Sequence, residues 1–116
     1  MLKRYYERRP EYLIWQYDGE EIIPEKVVSM LRERNYTFRV YTMQRHSDGI
    51  VTTVDRHIEI LKEGAVAETV VGEGYYIIFT EYTPGGRFDD RVRVSKTLRE
   101  FEEVPLSNGQ DATSTR

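Results

Sequence analysis

"YTFRVYTMQRHSDGIVTTV", Tyr36 to Val54, is the stretch that decides the fold. From Tyr36 to Met43 the side chains alternate with a period of two: Tyr36, Phe38, Val40 and Thr42 against Thr37, Arg39, Tyr41 and Met43. That period belongs to a half-buried strand, because successive side chains of an extended chain point to opposite faces. "HSDG", His46 to Gly49, places Asp and Gly where a tight turn favours them, and "IVTTV" resumes the branched pattern. The reading is a β-hairpin.

Upstream, "EYLIWQY" (Glu11 to Tyr17) is aromatic and branched and closes on Asp18-Gly19, a turn pair, so it reads as the first strand. Pro24 then opens a helix at the position where its missing N–H costs nothing. Val27, Val28 and Leu31 share one face with Ile23 just ahead, and the helix runs to about Arg34 and stops at Asn35. Downstream, "HIEIL" (His57 to Leu61) ends at Lys62-Glu63-Gly64, and "AVAETVV" and "YYIIFTEY" follow, separated by Gly72-Glu73-Gly74. Short glycine turns favour antiparallel pairing, since a parallel crossover needs about a dozen residues or more.

"RVRVS", Arg91 to Ser95, alternates again and is expected to pair with "IIFTEY" across Pro84-Gly85-Gly86. "SKTLREF", Ser95 to Phe101, carries a hydroxyl cap ahead of Leu98 and Phe101 and reads as one or two helical turns. The final "LSNGQDATSTR", residues 106–116, has almost no apolar content and reads as a disordered tail. The sum is a single α+β domain over residues 1–105. One main helix packs on a mostly antiparallel β-sheet or a small, partly open barrel.

Composition narrows the function classes. A chain of 116 residues fits one domain that buries about two-thirds of the surface its unfolded form exposes. With no cysteine there is no disulfide framework, no thiolate metal site and no cysteine nucleophile. No apolar run approaches the ~18 residues of a membrane span, and the N-terminus lacks the features of a signal peptide, so a cytoplasmic protein is expected. A net charge of −3 opposes coating of double-stranded nucleic acid, which rests on basic residues displacing counterions. The charge is uneven: Lys3, Arg4, Arg8 and Arg9 crowd the start against Glu7, and Asp18, Glu20, Glu21 and Glu25 follow against Lys26. Nine tyrosines serve either as sheet filler or as an interface surface.

Four pieces together resemble a widespread family of small tailed-phage proteins of unknown function. They are "RYYERRP" (Arg4 to Pro10), "LIWQYDG" (Leu13 to Gly19), "GEGYYIIFTEY" (Gly72 to Tyr82) and "LREFEEV" (Leu98 to Val104). They are similar in order and spacing to that family's basic start ending in Pro, its Ile-Gln-Trp strand, its Gly-Asp-Tyr-Ile-Ile strand and its closing Phe/Tyr-Glu-x-Val. Two departures stand out: Gly74 falls where the family has an acidic residue, and "TPGGRFDDRVRVS" is longer than the usual turn. The resemblance implies phage or prophage origin and a similar fold, and it carries no catalytic residue across.

Two constellations could carry chemistry. On a strand, Asp55, His57 and Glu59 share one face and form an oxygen–nitrogen–oxygen set of the kind that holds a divalent metal. The same three are also what a wet face presents when Ile58 and Ile60 turn inward. His46 beside Asp48 sits in a tetrapeptide that is equally a turn. No nucleophile, phosphate-loop or dinucleotide motif occurs, so the chain is expected to be no enzyme and to use no cofactor.

The second constellation is "EYTPGGRFDDRVRV", Glu81 to Val94. Gly85 and Gly86 after Pro84 can expose consecutive N–H groups to an anion, Arg87 can close on a phosphate, and Phe88 or Tyr82 can stack a base. Arg91 and Arg93 are expected nearby on one strand face. Asp89 and Asp90 oppose an anion, and Pro-Gly-Gly is also ordinary hairpin punctuation.

Two functions follow. One is sequestration of a small anionic ligand, such as a nucleotide signal of host defence, between the protomers of a homo-oligomer in the infected cell. The other is direct inhibition of a host enzyme through a tyrosine-rich or acidic surface.

Overall fold

The computed structural model describes residues 1–20 and 22–104, so the expected tail at 106–116 lies outside the described residues. Among the described residues six strands and one helix follow in the order β1 (Glu11–Gln16), α1 (Glu25–Glu33), β2 (Tyr36–Ser47), β3 (Ile50–Lys62), β4 (Thr69–Gly72), β5 (Tyr76–Tyr82) and β6 (Val92–Ser95). The strands form two antiparallel three-stranded sheets, ordered β1-β5-β6 and β2-β3-β4. They do not close into a barrel.

Local chemistry explains most boundaries. Pro24 supplies the first helix cap position, and Asn35 leaves the helix in the left-handed region at φ 63°. Its amide donates back to the Arg32 carbonyl at 3.0 Å. The hairpin turns at Asp48 (φ 51°) and Gly49 (φ 77°), the two left-handed positions of a turn whose twist matches the flanking strands. Ser47 faces Ile50 across it.

Two sequence expectations change. "IVTTV" and "HIEIL" are one continuous strand, β3, in which the charged pair Asp55-Arg56 sits mid-strand. A bulge absorbs the junction: Met43 faces Asp55, Gln44 faces Thr53, and Val54 is the extra residue. "SKTLREF" forms turns rather than a helix. The Ser95 hydroxyl accepts from the Thr97 amide and donates to the Thr97 carbonyl, which satisfies locally the groups a helix would use.

The core lies where α1 and the two sheets meet. Val27, Met30 and Leu31 from α1 pack with Ile58, Ile60 and Val71 of one sheet and Ile77 and Phe79 of the other. Arg34, at the C-terminal end of α1, is buried among them at 3% exposure. Its guanidinium donates to the Met30 carbonyl (3.1 Å) and the Thr80 carbonyl (2.9 Å), tying the helix end to β5. Lys62 makes the second tie, from the end of β3 to the Arg34 carbonyl (2.8 Å) and the Asp90 carboxylate (2.6 Å).

Candidate functional site

The Asp55–His57–Glu59 set shares one face of β3, with Ile58 and Ile60 buried on the other. The three side chains bracket rather than converge. Asp55 Oδ2 lies 2.9 Å from His57 Nδ1, and Glu59 Oε2 lies 3.4 Å from His57 Nε2. The carboxylates therefore occupy opposite ring nitrogens, and one ion cannot reach all three. Tyr41 stacks on the imidazole at 5.2 Å between centroids, from the cross-strand position the register assigns it. Among the described residues no group of three or more His, Asp or Glu side chains is arranged to hold a metal.

The Glu81–Val94 loop is both a hairpin tip and a hollow. Pro84 and Gly85 (φ 94°) occupy the central positions of a tight turn, closed by the Gly86 amide donating to the Thr83 carbonyl at 2.9 Å. The Thr83 hydroxyl also donates to the Arg87 carbonyl. With its amide committed to the turn, Gly86 offers no donor to an anion. Beside the turn lies an open hollow of about 500 Å³ between Thr83 and Arg91.

The basic residues expected there part company. Arg91 turns back on Asp89, with Nε to Oδ1 at 3.1 Å and a terminal nitrogen to Oδ2 at 3.0 Å. That fork, with the Arg91 amide added, holds Asp89 down to about 2. Lys62 likewise keeps Asp90 below the ordinary carboxylate range. Arg93 is on the other side of its sheet, its guanidinium 5.4 Å from the Tyr12 ring and 5.3 Å from that of Phe101. Tyr82 is covered by Arg8, whose guanidinium stands 3.6 Å from the ring centroid. Phe88 remains exposed over Arg34 at 5.1 Å. Arg87 is exposed, and among the described residues its guanidinium has no partner. Of the expected set, Gly85, Gly86, Arg87, Phe88 and Arg91 cluster at the loop, while Tyr82 and Arg93 are engaged elsewhere.

Two surfaces went unread in the sequence. The first is the outer half of the β2–β3 ribbon. β4 covers only His57 to Ile60, so among the described residues Thr42 to Asp55 form two strands with no third beside them. Met43, Ile50, Val51 and Val54 are exposed there, Ile50 at 65%. The signal was present in the apolar residues that flank the turn on both strands, yet only the extent of β4 shows that they stay uncovered.

The second is a trough of about 810 Å³ along β1, the outer strand of its sheet. Tyr12, Ile14, Tyr76, Leu98 and Phe101 line it, and Tyr12 meets Phe101 edge to face at 5.3 Å. Its finding depends on sheet order, which spacing along the chain does not reveal. Comparison with protein-family models, with curated proteins and with solved structures finds no match to this chain.

Proposed function

We propose that this chain is a non-catalytic binding protein, an accessory factor of the phage type, that engages a protein partner through the outer half of the β2–β3 ribbon. The observation that carries this reading is the exposure of Met43, Ile50, Val51 and Val54 on a ribbon with no third strand among the described residues. A two-stranded ribbon alone is marginal in water, and exposed apolar side chains on both of its faces, with Ile50 and Val51 at consecutive strand positions, suit it to contact with a partner. The free edge of β2 adds unpaired backbone groups, to which an extended segment of a partner can add as a strand. Inhibition of a host enzyme by direct contact is the activity this surface suits. A photo-crosslinking amino acid at Val51 should give one discrete protein adduct in bacterial cells, and the same group at Glu63 should not. Loss of the adduct in Val54→Asp supports the reading, and a Val51 position that crosslinks to nothing sinks it.

A second reading rests on Arg87, which is exposed on the hollow and without a partner among the described residues. One guanidinium in a hollow that Asp89 and Asp90 also line is a weak anion site, so a nucleotide-like ligand would need donors from a second protomer. Native mass spectrometry of protein from cells expressing a defence-signal synthase tests it. A bound mass of nucleotide size that disappears in Arg87→Ala supports capture of a ligand, and identical empty spectra remove it.

A further inference from the structure

The N-terminal arm and the trough along β1 are complementary in charge and in apolar character. Residues 1–10 form no strand or helix and are exposed throughout, with Leu2, Tyr5 and Tyr6 each more than four-fifths accessible. Arg8 anchors the base of the arm, on the Tyr82 ring and on Glu11 at 3.3 Å. Beyond that anchor, residues 1–7 touch nothing that holds them among the described residues. The arm carries Lys3, Arg4, Arg8 and Arg9 against the single Glu7.

The trough presents the opposite character. Its floor is aromatic and aliphatic, and its rim carries four carboxylates, Glu11, Glu81, Glu102 and Glu103, with no cation among the lining residues. Only Glu11 of these has a basic partner among the described residues, and that partner is Arg8 of the arm itself. One further cation, Arg93, stands against the Tyr12 and Phe101 rings, and the carboxylates outnumber it. Along the trough runs the outer edge of β1, which pairs on its other side with β5. Unpaired strand edges accept added strands, and apolar floors take tyrosine and leucine side chains.

We infer that residues 1–7 of one copy dock in the trough of a second copy, with β1 as the template. A second copy suits the geometry because Pro10 lies in the trough wall and the arm starts there. Residues 1–9 are not among the residues that line it, and the free arm, at about 3.3 Å per residue, reaches roughly 23 Å, the length of one strand. Two such arms exchanged about a two-fold axis make a closed, self-complementary dimer. In that strand Leu2, Arg4 and Tyr6 take one face, so Leu2 and Tyr6 cover the floor and Arg4 reaches Glu102 and Glu103, while Lys3 adds its charge from the other face.

Sedimentation velocity of the full chain over a range of concentrations and salt tests this without reference to the ribbon. The expected result is a dimer that weakens with salt and is lost when residues 1–7 are removed. Glu102→Lys with Glu103→Lys should weaken it by about tenfold or more, as should Lys3→Glu with Arg4→Glu. Mixing the two charge-reversed proteins should restore a heterodimer, which separates complementary charge from simple misfolding. Unchanged far-UV dichroism in each variant checks the fold. A full chain that is monomeric at all soluble concentrations overturns the inference, whether the arm folds onto its own trough or serves another protein. A dimer that survives removal of the arm overturns it equally, and loss of association on Val51→Asp alone would place the contact at the ribbon instead.

Discussion

Arg34 is the residue on which the packing turns. A guanidinium at 3% exposure is tolerated because its donors reach the Met30 and Thr80 carbonyls and because it lies 5.3 Å from the Phe79 ring centroid and 5.1 Å from that of Phe88. Arg34→Ala removes the planar fork and leaves two carbonyls in a site that water reaches poorly. The expected loss is about 3 kcal/mol by urea unfolding, and Arg34→Lys should recover little of it, since one ammonium does not span both acceptors. Asp89 gives the opposite kind of effect, on the surface and dependent on pH. The Arg91 fork lowers its carboxyl from the ordinary 3.8 to about 2 in the folded chain, so its contribution is complete above that upper value and fades as pH falls toward 2. Asp89→Asn should therefore flatten the fall in urea midpoint across that acid range while leaving a smaller slope from Asp90, which Lys62 shifts in the same direction.

Among the elements, the β2–β3 ribbon divides into two halves with different support. His57 to Ile60 lie between β2 and β4, whereas Thr42 to Asp55 have one partner strand each. Native-state hydrogen exchange should be slow at Ile58 and Ile60 and markedly faster beyond Arg56, with the step in rate at the Val54 bulge. Gly49→Ala places a Cβ on a left-handed residue and should cost about 1 kcal/mol in ribbon stability, read as faster exchange in the tip alone. Much at this scale was legible beforehand. Pro24, Asn35 and Asp48-Gly49 each act through their own backbone preferences, so they mark boundaries without knowledge of the rest of the chain. The pairing of β6 with β5 followed from alternation and loop length. The continuity of β3 did not, because Asp55-Arg56 looks like a break until a bulge and the Arg56 bond to the Gly19 carbonyl (3.0 Å) give it a place.

At the scale of the molecule, α1 and both sheets share one core, so the two sheets should lose structure together. Trp15, on the sheet of β1, reports one half by fluorescence, and far-UV dichroism reports the whole. Their unfolding curves should superimpose, and Leu31→Ala, at a position with no exposure, should shift both by about 3 kcal/mol. Two separated transitions would instead mean that each sheet stands alone. The candidate site was legible only in part for the same global reason. Loop residues Gly85, Gly86 and Arg87 stay together because they are neighbours in sequence. Arg93 and Tyr82 go elsewhere because sheet order brings Tyr12 and Arg8 to them, and Asp89 takes Arg91 from two residues away.

The Lys62 junction carries one more consequence, for how this architecture tolerates changes of length. By joining the end of β3, the helix terminus and Asp90, it fixes the return of the β5–β6 connection before β6 begins. The tip ahead of it has open space around it, with nothing within 4 Å of where a Cβ would stand at Gly85 or Gly86, and is held only by its own turn bonds from Thr83 to Gly86 and Arg87. Added residues between Gly85 and Gly86 would open the Thr83–Gly86 turn and lengthen the tip without disturbing the β5–β6 register, whereas one residue added between Asp90 and Val92 would uncouple that clamp from the strand it positions. The tip is the natural place for an epitope or a fluorophore, and for lineages of this fold to diverge by insertion.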